Sequence, residues 1–324
     1  MKKLIVLLLT IAMVGAVFAE EAPAPVLKWS GLLNTGFQYD NSTDSLYLYG
    51  QNAGKASRLR LNADYTNGDF GVHFRLQTDD ATTTTVPAAF SIKHALVWGN
   101  LFNNMATFKV GLLNDSTWAT PYNSFGSLDG KKGVQLQVKP IKGLNVGAFM
   151  PLDPLDTTKT VPAGDVPKDM TFAGKYSISG IADVLAGLNL GVAPTTKTEA
   201  YGSVNVTAIE NLTAIVEADL TDISDIANTL SLDEYASYAM GNLAVGAYLE
   251  QDFGSTFGWT IAPEVSYAID KAEVGGSFTI ASGSVWSIDP YVTYTLNDKS
   301  TVKGYASYDN ASVFTFGVSL LFNF

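Results

Sequence analysis

The stretch SRLRLNADYTNGDFGVHFRLQT occupies residues 57–78 and alternates with period two on both sides of a turn. Leu59, Leu61, Ala63 and Tyr65 share one face, with Arg58, Arg60, Asn62 and Asp64 on the other. After Asn67-Gly68-Asp69, Phe70, Val72, Phe74 and Leu76 oppose His73, Arg75 and Gln77. Side chains of a strand point alternately to its two faces, so this is an antiparallel hairpin with one apolar and one polar face. Asn67-Gly68-Asp69 between the two runs is a strong hairpin signal.

The pattern extends along the chain. Blocks of about nine to eleven alternating residues, the length of a tilted membrane strand, recur from 26–39 to 311–324. Eighteen candidate strands result, among them 57–66, 70–79, 185–193, 234–241 and 243–251; reading the weak hairpin at 234–251 as a loop would leave sixteen. Links on one side are tight, such as 67–69, 140–143 and 241–242. Most on the other side are long and polar, at 40–56, 114–130, 152–168 and 221–233. Helical periodicity is nearly absent. Similar short segments, GLNVGAF (143–149), GLNLGVA (187–193) and NLAVGAYL (242–249), each begin a strand after a tight turn.

The amino terminus has a different character. Lys2 and Lys3, an apolar run from Leu4 and then Val17-Phe18-Ala19 form the three regions of a secretory leader cleaved after residue 19. Residues 20–25 form a short lead-in, and 26–324 are expected to be one domain. The chain carries a net charge of −11, made more negative when the two leader lysines are removed. That disfavours nucleic acid, which needs a basic footprint. With no cysteine, disulfides, thiolate chemistry and Cys-bound metal are excluded. No stretch after the leader is long and apolar enough for a membrane helix. Only a closed β-barrel could place the mature chain in hydrocarbon, because an open sheet edge leaves backbone groups unsatisfied there.

The last residues, ASVFTFGVSLLFNF (311–324), carry Phe314, Phe316, Val318, Leu320, Phe322 and Phe324 at every second place. This stripe is expected to face lipid, with Thr315, Gly317 and Ser319 inward, and the strand to close the barrel against residues 26–39. A soluble β-sandwich would also alternate. The strand number, the short and long links, and Trp29, Trp98, Trp259 and Trp286 near strand ends favour a transmembrane antiparallel barrel with aromatic girdles.

With its leader, its alternating hairpins and a final strand ending in phenylalanine, the sequence resembles the bacterial outer-membrane porins. The resemblance implies a barrel of sixteen or eighteen strands forming a water-filled channel for small hydrophilic solutes. It implies a location in the outer membrane among lipopolysaccharide-type lipids, and a possible homotrimer. It also makes Phe316, Val318, Leu320, Phe322 and Phe324 a signal for the barrel-assembly machinery. ALVWGNLFNNMATFKVGLLND (95–115) looks like the hairpin leading into the long third loop of that family, which makes Asp115 and Asp129 candidates for a constriction.

The polar faces suggest a lining. All three arginines, Arg58, Arg60 and Arg75, lie on the polar face of neighbouring strands, and Lys28, Lys93 and Lys109 share that parity nearby. Glu217, Asp219, Glu250 and Glu264 occupy inward positions on the other side of the ring. A basic wall facing an acidic one would orient polar solutes and select ions. Tyr201, Tyr248, Tyr291 and Tyr305 are inward and could form a sugar slide; a substrate-selective channel and a surface adhesin are the alternatives. Asp79-Asp80, Asp153/Asp156 and the Asp222/Asp225/Asp233/Glu234 group are expected in outer loops as a solvated rim. An enzyme is not expected, since His73 and His94 are the only imidazole bases and no Gly-x-Ser-x-Gly elbow is present. No cofactor or metal is expected.

Overall fold

The computed structural model describes residues 24–48, 57–78, 90–152, 170–192 and 197–324. The leader (1–19), most of the lead-in, and Asp79, Asp80, Asp153 and Asp156 lie outside the described residues.

Alternation becomes one closed sheet. The strands are β1 (Val26–Asp40), β2 (Ser45–Leu48), β3 (Arg58–Asn67), β4 (Phe70–Thr78), β5 (Ser91–Leu101), β6 (Ala106–Leu112), β7 (Lys132–Val138), β8 (Leu144–Pro151), β9 (Met170–Ile178) and β10 (Ala182–Val192). They continue as β11 (Lys197–Val206), β12 (Leu212–Leu220), β13 (Leu230–Met240), β14 (Leu243–Phe253), β15 (Phe257–Ile269), β16 (Ala272–Ala281), β17 (Val285–Asn297), β18 (Ser300–Asp309) and β19 (Phe314–Asn323). Each strand from β3 onward pairs antiparallel with the next, and β19 returns to β1. β2 and β3 share one place, β2 beside the upper part of β1 and β3 beside its lower part, so the closed barrel has 18 strands. The hairpin 230–253 is fully paired, which removes the sixteen-strand count.

Two boundaries depart from expectation. Residues 45–48 belong to the wall rather than to a loop spanning 40–56. Ser-Leu-Tyr-Leu alternates and pairs with Phe37–Asp40. The Asp40 carboxylate, accepting from the Ser42 N–H (2.8 Å) and hydroxyl (2.7 Å), shapes the intervening turn. Likewise 221–233 is not wholly loop. A short helix, α1 (Ile226–Thr229), leads directly into β13, so Asp233 and Glu234 are strand residues.

The seam lies between the first and last strands. Leu32 to Asp40 pair with Asn323 to Thr315, and the Phe324 carbonyl accepts from the Gly31 N–H at 2.8 Å while its own N–H donates back at 3.1 Å. Gly31 is required here, because a Cβ would collide with the Phe324 ring. Phe314, Phe316, Leu320, Phe322 and Phe324 are exposed on the outside. So are Leu27, Trp29, Leu33 and Phe37 on β1, and Val265, Tyr267 and Ile269 on β15. A continuous apolar exterior of this kind does not persist in water and matches hydrocarbon. No helix among the described residues is long and apolar enough to cross a membrane. Trp98 corrects the girdle reading: it pairs with Lys109, packs over Gly71 and faces the lumen.

Candidate functional site

The link between β6 and β7, residues 113–131, turns into the barrel. Its two limbs pair at the neck through Leu113 N–H to Lys131 O (2.8 Å), Leu128 N–H to Asp115 O (2.8 Å) and Gly130 N–H to Leu113 O (2.9 Å). The buried neck carboxylate of Asp115 is ion-paired with Lys109 on β6, and accepts from the Thr117 N–H (2.8 Å) and the Gln137 amide on β7 (2.9 Å). Burial alone would raise this carboxyl. The Lys109 ammonium, with the Lys109 and Thr117 hydrogen bonds, outweighs burial and holds it below the ordinary carboxylate value.

Past the neck the loop lies on an apolar seat. Leu113, Trp118 and Leu128 of the loop are buried with Leu96, Phe149, Leu185 and Tyr201, which project inward from β5, β8, β10 and β11. These break the rule that inward positions are polar, and they do so where the loop covers them. Gly147 makes room: a Cβ there would press into the Trp118 ring.

The tip crosses to the acidic strands. The Tyr122 and Asn123 N–H groups donate to the two oxygens of Glu217, at 2.8 and 2.9 Å. The Asn123 amide donates to Asp219 (2.9 Å) and Asp233 (2.7 Å), and the Tyr248 hydroxyl also bonds Asp233. Antiparallel register puts Asp233 directly across from Glu217. The Tyr122 ring sits 5.1 Å from Tyr248 and 6.3 Å from Tyr235, and burial together with Tyr235, Glu217 and Asp233 pushes its hydroxyl up to about 12, so it stays neutral.

These contacts correct two expectations. Glu217 and Asp219 were expected on an open acidic wall, but they are almost fully buried beneath the loop tip. Asp233, expected in a solvated rim, is the third buried carboxylate of the same group. The acidic residues left open are Glu250 and Glu264, with Glu264 accepting from Tyr235 at 2.6 Å. Asp252 and Glu273 add to this lining and were not foreseen.

The basic side is a ladder. Arg60 donates to Gln77 (2.9 Å), Arg75 to Asn62 (2.7 Å) and Asn62 to Ser30 (3.2 Å), tying β1, β3 and β4 together across the inner face. Arg58 lies opposite Asn34, and Lys28, at the exposed lower end, opposite Asp64. Lys93 falls at a break in register, where Arg75 pairs with His94 and Leu76 with Ile92, so it is the extra residue of a β-bulge. Lys109 is taken up by Asp115. Asp129, half-exposed on the returning limb of the loop, contacts His94 at 2.5 Å. Both histidines belong to this wall, in a chain running Asp64–His73–His94–Asp129. The carboxylate partner of His94 lies 35 residues away, out of reach of any local motif.

No protein family and no curated protein matches the sequence. Solved structures do match, over nearly the whole chain. OccD3 (OpdP) of Pseudomonas aeruginosa superposes with a TM-score of 0.60 at 10% identity, over 92% of this chain and 91% of that one. A mutant of the Rh. blastica porin gives 0.56 at 16% identity, over 92% and 100%. The fold is the porin fold. A loop-deletion mutant of OmpT, an outer membrane protein of Vibrio cholerae, gives 0.55 at 13% identity, over 93% and 100%. At these identities the likeness to the porin barrels is one of architecture.

Proposed function

We propose that this protein is an outer-membrane channel for passive diffusion of small hydrophilic solutes and ions, narrowed by the loop 113–131. The observation that carries this reading is the inward loop. It is seated on apolar wall residues, anchored by charge at its neck and hydrogen-bonded to carboxylates at its tip. A structural barrel has no need to hold a loop across its lumen at both ends. The exposed apolar exterior supports a membrane setting, with lipid outside and water inside.

The arginine ladder, facing Glu250, Asp252, Glu264 and Glu273 across the remaining lumen, supports a transverse field that orients polar solutes. Fixed charges act more strongly in a confined, poorly screened space than in bulk water. General diffusion is favoured over a sugar-selective path because the inward tyrosines are dispersed and engaged. Tyr201 is buried under the loop, Tyr248 bonds Asp233, Tyr291 bonds Glu273 at 2.7 Å and Tyr305 bonds Gln38 at 3.1 Å. Among the described residues no hydroxyl nucleophile contacts either histidine, whose ring nitrogens meet carboxylates, each other and Asn114.

Planar-bilayer recording tests this. The purified barrel should give discrete ohmic conductance steps, and neutralising Arg58, Arg60 and Arg75 together should shift the cation-to-anion permeability ratio toward cations. Absence of conductance would overturn the channel, and an unchanged ratio would overturn the field.

A further inference from the structure

We propose that His73 and His94 form a binding site for one borderline divalent transition-metal ion, of the Zn²⁺ class, on the inner wall beside the loop. His73 Nε2 and His94 Nδ1 face each other at 3.3 Å. Two imidazole nitrogens each about 2.0–2.1 Å from a tetrahedral ion lie about 3.3 Å apart. The far nitrogens are both held by carboxylates: Asp64 meets His73 Nδ1 at 2.6 Å and Asp129 meets His94 Nε2 at 2.5 Å. A carboxylate behind each ligating imidazole takes its N–H, fixes the ring and leaves the inward nitrogen bare. Tautomers follow here from this network: with the outer nitrogens donating, two lone pairs face one another across the gap. That arrangement repels unless a cation lies between them.

The remaining surroundings suit an open site. The Asn114 side-chain amide lies 3.5 Å from His73 Nε2, and its oxygen can be exchanged for its nitrogen by a flip. Both imidazoles are buried, whereas Asp64 and Asp129 are half-exposed, so an ion reaches the pair from the lumen along carboxylates. Arg75, opposite His94 in the register, and Lys28, opposite Asp64, work against any cation here, and the two carboxylates in direct contact with the imidazoles offset them. Imidazole ligands select Zn²⁺, Ni²⁺ or Cu²⁺ over Mg²⁺ and Ca²⁺, which take oxygen. Because Asp129 on the loop already meets His94, a bound ion sits where loop and wall join and places positive charge beside the passage.

The site rests on side-chain geometry and not on the channel reading, so it is tested first in detergent. Zinc titration by calorimetry, with zinc-edge X-ray absorption, should show one ion per chain with imidazole scattering and no competition from MgCl₂. His73→Asn and His94→Asn should each abolish that binding. Asp64→Asn and Asp129→Asn, which keep both imidazoles, should weaken it by about 10–100-fold. Each variant is compared only after resistance to unfolding in SDS shows that its barrel is intact. A pair that merely shares a proton would bind no zinc, and that result overturns the proposal. Unaltered affinity in both histidine variants, or equal competition by MgCl₂, does the same. In bilayers, zinc should then lower conductance of the native protein but not of His94→Asn. A barrel that binds zinc and carries no current would refute the channel and leave the metal site standing.

Discussion

The loop is held at its two ends by opposite means. At the neck, one buried carboxylate, Asp115, meets a full positive charge from the adjacent strand, with contacts among residues close in sequence. At the tip, three buried carboxylates on β12 and β13 meet only neutral donors: from the loop, two backbone N–H groups and one amide 94 to 110 residues away, and from β14 the Tyr248 hydroxyl. The neck is a local device that forms as its own hairpin forms. The tip is a closing contact, available only once the barrel has brought β12 within reach. A tip without formal positive charge depends on hydrogen bonds alone, so it is the more fragile end.

The largest effect should come from Asn123→Asp, which replaces the shared donor by a fourth carboxylate. Losing hydrogen bonds to two buried carboxylates costs about 3–6 kcal/mol, at about 1.5–3 each, enough to release the tip while the neck stays closed. The expected readouts are higher single-channel conductance and new proteolysis between Trp118 and Gly126; unchanged conductance would show that the neck alone sets the aperture. Trp118→Ala should loosen both ends by removing the apolar seat between them, at a cost of about 3 kcal/mol if the loop partly collapses into the void. Noisier conductance of intermediate size would report it. Lys109→Met should be milder, about 1–3 kcal/mol, because Asp115 then takes up a proton and the Thr117 N–H and the Gln137 amide still serve it. It should open the neck to proteolysis without freeing the tip.

Acid provides a finer separation. The Asp115 carboxyl lies below its ordinary value of 3.8, so its stabilising contribution is complete above that value and is lost as pH falls through the lower folded value. Protection of the neck from an acid-stable protease should be flat from neutrality down to about pH 4 and fall only below it. Loosening at higher pH would mean that Lys109 does not control this group. Smallest of all, Thr120→Ala removes the hydroxyl that accepts from the Phe125 N–H at 3.1 Å. It should cost about 1 kcal/mol and broaden the loop's conductance noise without moving its mean.

Much of the barrel was legible because strand alternation is a local signal. Leu59 and Arg60 declare their faces to each other with no help from the rest of the chain. Ser45–Leu48 alternates just as well but is short and sits between turn residues, so nothing local sets it apart from a loop. Asp233 reads as loop because the alternation is plain only from residue 234, four residues after β13 begins, and the third carboxylate of the tip anchor is hidden with it. Trp98 looked like a girdle residue by its position near a strand end; only the register, which sets it beside Lys109, turns it inward.

By itself the sequence determined the closed antiparallel wall, the greasy exterior, the closing role of the last strand and the clustering of arginines, since each follows from spacing within one or two strands. Only the tertiary structure decided that residues 113–131 fold inward, that Glu217 and Asp219 are covered rather than open, and that His73 and His94 stand nitrogen to nitrogen between two carboxylates. Those outcomes depend on which strands the closed ring brings face to face, and no local periodicity encodes a partner on another strand tens of residues away.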